Sequence, residues 1–87
     1  MASLEEHCQD CMKALGNPYR GIHIYLDEFF NTMGPRHIIV RHHADGVREI
    51  EQKWGKEAAQ AAEIHIKKDC CGQVPSKKQA MLWDILT

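Results

Sequence analysis

Arg36-His37-Ile38-Ile39-Val40-Arg41-His42-His43-Ala44-Asp45-Gly46, residues 36–46, is where the fold is decided. Three consecutive β-branched residues, Ile38, Ile39 and Val40, would suit a strand. The longer window argues for a helix. Arg36, Ile39, His43, Val47, Ile50 and Trp54 recur at intervals of three and four, so they share one helical face and predict a single long helix over 36–54. His43 then faces the core. Gly46 falls inside that helix and Gly55 beyond its end. An interior glycine costs about 1 kcal/mol relative to alanine, so Gly46 marks either the close approach of another backbone or a break between two shorter helices.

Working outward from this stretch, every other periodic segment is also helical. Ser3 is placed to cap a first helix whose Leu4, Cys8, Cys11 and Leu15 form an apolar stripe, with Gly16 as its stop. Asn17 and Pro18 read as the cap and first turn of a second helix. Its buried face is Ile22, Leu26, Phe29, Phe30 and Met33, and it ends at Gly34. From Lys56 onward, the alanines at 58, 59, 61 and 62 carry high helix propensity, and Ala58, Ala62, His65, Ile66 and Asp69 fall on one side. Gly72 and Pro75 close that element. Ser76 with Gln79 is a capping-box signature for a last helix carrying Leu82, Trp83 and Leu86. The expected fold class is all-α, a compact bundle of four to five helices forming one domain over residues 1–87.

Composition fits this picture and narrows the function. With 87 residues, 44% hydrophobic and 26% charged, the chain has the profile of one small globular domain. Such a chain buries roughly two-thirds of its unfolded surface, so a metal, a disulfide or a second copy in a homo-oligomer has room to contribute stability. The longest aliphatic run is Ile38 to Val40 and the first six residues are polar and acidic, so neither a membrane span nor a signal peptide is expected, and a cytoplasmic location is. Eleven basic residues against twelve acidic ones give a net charge of −1, which argues against nucleic-acid or membrane partners. Arg36, Arg41, Arg48, Lys53 and Lys56 alternate with Glu49, Glu51 and Glu57 as a solvated helix surface does. Tyr19, Tyr25, Phe29, Trp54 and Trp83 read as core aromatics.

Six histidines are the outlier. His23 with Asp27 and His65 with Asp69 stand four apart, a spacing that projects an imidazole and a carboxylate from one helical face. His37, His42 and His43 add rings from a third helix. Nitrogen and carboxylate ligands together suit zinc, iron, manganese or nickel better than calcium, and an open position would activate a water. Candidate metal ligands are therefore His23, Asp27, His37, His42, His43, His65 and Asp69. Glu63 or Asp27 is the candidate general base, and Arg36 and Arg41 are candidate clamps for an anion. His7, beside Cys11 on the first helix, reads as packing. Cys8, Cys11, Cys70 and Cys71 offer a separate zinc or iron–sulfur site. Core packing is the stronger account of them, because the first pair lies on the apolar stripe and the second is adjacent.

Taken together, Ile22-His23 with Asp27, Arg36-His37, His42-His43 before Gly46, then Glu63, His65, Asp69, Pro75 and Trp83, resemble a family of short bacterial and phage-associated histidine-rich helical domains of unknown function. The resemblance runs from about His7 to Trp83. The segment between Gly55 and Glu63 is shorter than the family pattern, and the cysteines lie outside that pattern. What the resemblance implies is a shared histidine-rich site, not a reaction. Two functions are expected from the residues. One is a divalent transition-metal protein, extending to hydrolysis of a phosphoester or amide with a small-molecule substrate. The other is a metal-free interaction module, oligomeric or pH-responsive, with a protein partner and structural histidines.

Overall fold

A computed structural model of the chain describes residues 3–70 and 72–86, with the side chains of residues 35, 36, 38, 39 and 83–86 outside the description. The expectations for Arg36, Cys71, Trp83 and Leu86 concern side chains outside the described set. In chain order the elements are α1 (Leu4–Leu15), α2 (Arg20–Leu26), α3 (Phe30–Met33), a 3-10 turn (Gly34–His37), α4 (Ile38–Arg41), α5 (Ala44–Trp54), α6 (Lys56–Asp69) and α7 (Lys77–Leu86). Among the described residues there is no strand. Five of the helices, α1, α2, α5, α6 and α7, run seven residues or more, while α3 and α4 are single turns. The all-α bundle expected from periodicity is the observed class.

Local chemistry sets the ends. The Ser3 hydroxyl accepts from the Glu6 amide while the Glu6 carboxylate accepts from the Ser3 amide, starting α1. Ser76 and Gln79 make the same reciprocal pair before α7. Between α5 and α6 there is only Gly55, at φ 97°, a conformation L side chains rarely adopt, and it lets the two helices turn directly onto one another. α6 is the centre of the bundle, with α5, α1 and α2 all packed against it. Its alanines 58, 59, 61 and 62 are buried and, having no bulk, let neighbouring backbones approach: the Cys11 thiol lies 3.9 Å from the Ala61 carbonyl. Ile22, Leu26, Ile50 and Ile66 fill the remaining core. No helix among the described residues is long and apolar enough to cross a membrane.

Three expectations are corrected. The helix over 36–54 is broken: α4 ends at Arg41, α5 starts at Ala44, and His42 and His43 form the turn between them. The His43 ring causes the break by accepting the Gly46 N–H, acting as N-cap to α5. Both accounts of Gly46 then hold at once. The break lies just before it, and a Cβ at this position would sit 2.0 Å from the Arg41 carbonyl oxygen. The second helix starts at Arg20 rather than Pro18, since Tyr19 takes a left-handed conformation (φ 52°), and it divides after Leu26 where Asp27 leaves helical geometry. Aromatic burial is the third: Trp54, expected in the core, is 51% exposed and meets the Tyr25 ring edge-on, and Phe30, expected on the buried face of the second helix, is 39% exposed.

Candidate metal centre

Six histidines are buried, and five of them line one region between α6 and the segments packed on it. α1 supplies His7, α2 supplies His23, and the residue that caps α2 is Asp27. His37 closes the 3-10 turn, His42 lies in the α4–α5 turn, and α6 supplies His65 and, one turn on, Asp69. Asp27 Oδ1 is the focus: His37 Nε2 lies 3.1 Å away, His65 Nε2 3.2 Å and His42 Nε2 3.3 Å. Asp69 Oδ2 approaches the same two rings, 3.2 Å from His65 Nε2 and 3.3 Å from His42 Nε2. The two Nε2 atoms are themselves 3.1 Å apart. Asp27, His42, His65 and Asp69 thus each offer one ligand atom within 4.8 Å of the other three, as a single cation requires.

Hydrogen bonding shows what these atoms lack. A neutral imidazole carries one proton and one lone pair. His37 Nδ1 sits 2.8 Å from the Gly34 carbonyl, which can only accept, so the proton is on Nδ1 and the lone pair of Nε2 faces Asp27. Lone pair against carboxylate is repulsive unless a positive charge lies between them. Burial disfavours a charged ring at both His37 and His65. Hydrogen bonds to Asp27 at both rings, to the Gly34 carbonyl at His37 and to Asp69 at His65, with the charges of both carboxylates, outweigh that burial and raise both pKa values above the ordinary imidazole value. For Asp27, burial works to raise the pKa, yet hydrogen bonds from His37, His42 and His65 hold the carboxyl far below the usual carboxylate range. With no ion bound, the positive charge between ring and carboxylate is a second proton on the His37 and His65 rings; two buried carboxylates are also the charge that one divalent cation would cancel.

Other candidates are not brought together with this group. His43 faces the backbone instead, with Nε2–H donating to the Val40 carbonyl at 3.0 Å and Nδ1 accepting from Gly46 at 3.2 Å. A neutral ring is fully satisfied there. Glu63, two residues before His65, lies on the far side of α6, pairing with Lys67 at 4.0 Å. Arg41 donates to Glu28 and to the Tyr25 carbonyl while its guanidinium covers the Tyr25 ring, so it is committed away from the histidines. His23 touches His65 from the side opposite the carboxylates. Conversely, His7 is part of the site wall. Its ring stacks on His65 at 3.6 Å between centroids, and its Nε2 lies 3.4 Å from Asp69 Oδ1. The signal was in the spacing, since His7 falls three after Leu4 and four before Cys11 on the buried stripe.

The cysteines behave as small hydrophobes. Cys8 and Cys11 are buried thiols, and burial, followed by Cys8 and Asp10, pushes the Cys11 thiol up to about 11, far from a thiolate ligand. Cys70 is buried in the same core, and the groups able to hold an ion contain no described cysteine. For His43 the expected result is that His43→Ala lowers stability by about 1–2 kcal/mol through loss of the cap, while His43→Asn keeps the cap. Both variants should retain the full metal content of the parent protein, checked by thermal melting and elemental analysis; loss of metal from either would return His43 to the ligand set.

Compared with protein-family models, curated proteins and solved structures, the chain finds no match among any of them.

Proposed function

We propose that this protein binds one divalent transition-metal ion, zinc, iron or manganese, through Asp27, His42, His65 and Asp69, with His37 adjoining on the Asp27 side. The observation that carries this is the convergence of three imidazole Nε2 atoms on Asp27 Oδ1 within 3.1–3.3 Å, two of them shared with Asp69, in a buried setting. Imidazole with carboxylate favours these ions over calcium or magnesium, which prefer oxygen alone. An ion held there ties α2, the α4–α5 turn and α6 to one point. We further propose that the likeness to short bacterial and phage-associated histidine-rich domains, whose pattern includes Asp27, His42, His65 and Asp69 among other residues, reflects a shared site of this kind.

A hydrolytic role is the second reading, favoured by one observation. Among the four ligands, Asp27 alone reaches solvent, its side chain 22% exposed against 2% for Asp69 and 0% for His42 and His65. Metal-activated water on that side would attack a phosphoester or amide. Neither Glu63 nor Arg41 is placed to assist, so the metal reading stands without the reaction.

The test is elemental analysis of untagged protein purified without chelator, with calorimetric titration of the stripped form. The expected result is one equivalent of ion in the native chain and at least a tenfold loss of affinity in Asp69→Asn. Protein that carries no ion, and takes up none of zinc, iron or manganese, would favour the metal-free interaction module instead.

A further inference from the structure

Three atoms behind His65 decide which of its nitrogens is offered to an ion. His23 Nε2 lies 2.9 Å from the Pro18 carbonyl oxygen, and a carbonyl only accepts, so that nitrogen carries the proton of the His23 ring. His23 Nδ1 therefore presents a lone pair. It lies 2.9 Å from His65 Nδ1, a hydrogen-bond distance, and the only proton available for that bond is one on His65 Nδ1. The remaining nitrogen, His65 Nε2, is left with its lone pair aimed at the space shared with His42, Asp27 and Asp69.

The backbone is bent to make this arrangement. Tyr19 is the only described residue other than glycine at positive φ, 52°, and that angle sets the orientation of the preceding peptide, which carries the Pro18 carbonyl. The Asn17 side chain accepts the Tyr19 N–H at 3.1 Å, and the Tyr19 hydroxyl donates to Glu57 at 2.7 Å, so both ends of the residue are tied.

A second possible ion site, formed by His7, His23 and His65, is disfavoured by the same geometry. The His7 and His65 rings stack at 3.6 Å with only 11° between their planes. Nitrogen lone pairs lie in the ring plane, so an ion in the plane of one ring is out of plane for the other. His42 and His65, in contrast, meet at 65° and converge.

Resting on the metal reading above, we infer that His23 is a positioning residue and not a ligand: the chain Pro18 carbonyl, His23, His65 fixes His65 as an Nδ1–H imidazole that binds one ion through Nε2. Histidine ligands to metals commonly donate their other N–H to such a partner, and loss of the partner weakens binding.

The experiment uses the full chain. In zinc-loaded protein with ¹⁵N-labelled histidine, His65 Nδ1 should appear protonated, with a coupling across the hydrogen bond to His23 Nδ1. Titration with cobalt(II) alone should give one equivalent. His23→Leu should weaken cobalt binding by about 10–100-fold. His23→Asn, whose Oδ1 takes the place of Nδ1 as acceptor, should restore affinity to within a few-fold of the parent. An unprotonated His65 Nδ1, a second equivalent lost in both variants, or equal affinity in Leu and parent protein would overturn the inference while leaving the metal site intact. Absence of cobalt and zinc binding in the parent chain would instead overturn the metal reading and this inference with it.

Discussion

Stripping the ion from the native protein is expected to abolish its cooperative thermal transition, and restoring zinc to bring it back. A chain of 87 residues has, at roughly 0.05–0.15 kcal/mol per residue, about 4–13 kcal/mol of stability in total. A structural zinc site contributes on the order of 10 kcal/mol or more to folding. An ion bound at the proposed site would therefore be comparable to everything else holding the chain together. Among the described residues, the buried apolar cluster consists of alanines from α6, two cysteines and four larger aliphatic side chains, Ile22, Leu26, Ile50 and Ile66, with Leu15, Tyr19, Tyr25, Val47, Ile64 and Val74 partly buried against it. Where another domain would place leucines, this one places imidazoles and two carboxylates. Without a cation, the His37 and His65 rings must take up protons against the cost of burial to balance the two carboxylates, in a region with little water. Helical content should survive in part, since the caps and the alanine-rich α6 are local, but fixed packing should not. Differential scanning calorimetry of stripped and reloaded protein reads this directly. An unchanged transition in protein shown by elemental analysis to be metal-free would sink it.

How much of this was legible in the sequence can be judged from the two adjacent rings in the α4–α5 turn. A continuous helix over 36–54 turns His43 inward and His42, one residue away and about 100° around the axis, toward the side. The break exchanges them. His43 becomes a cap facing its own backbone and His42 enters the site. Gly46 offered a break as one of two readings, but its position and the exchange of rings were not readable, because histidine is not among the usual capping residues and the run Ile38, Ile39, Val40 satisfies a helix period as well as it does a strand. Elsewhere the signals were sufficient. Ser3 with Glu6 and Ser76 with Gln79 mark helix starts by side chains that can be read three residues apart. His65 with Asp69 stands on one face of an undistorted helix, so its spacing translates into geometry. His23 with Asp27 has the same spacing, but Asp27 leaves helical geometry at the end of α2, so its carboxylate turns to the Nε2 side of His65 while His23 stays behind that ring. Glu63 could have been set aside from the start: two residues from His65 is about 200° of helix, the opposite face.

Gly46→Ala should be the most damaging single methyl group in the protein, and it should remove metal binding together with stability. Helix propensity alone predicts the reverse, since alanine inside α5 is favoured over glycine by about 1 kcal/mol. The added Cβ would meet the Arg41 carbonyl oxygen at 2.0 Å, its carbon at 2.8 Å and its Cα at 3.0 Å. These are backbone atoms and cannot rotate away. Relief requires moving the turn that joins α4 to α5. That turn is anchored by the His43 amide donating to the Arg41 carbonyl and by the Ala44 amide donating to the Pro75 carbonyl, both at 2.9 Å. It also carries His42. A shift of about 1.4 Å, from 2.0 Å to the 3.4 Å at which ordinary contact begins, is large for a proposed ligand that must be held within about 0.5 Å. A loss above about 4 kcal/mol is expected, the range reserved for severe backbone or packing conflicts. Gly21→Ala is the control, since Gly21 lies in α2 with nothing within 4 Å of its Cβ position and no positive φ, so alanine there should raise stability by roughly 0.5–1 kcal/mol. Melting curves and cobalt affinity for the two variants separate propensity from contact. A Gly46→Ala protein that melts like the parent and binds cobalt as tightly would mean that the Arg41 carbonyl is not against α5, and that His42 does not owe its place to the turn.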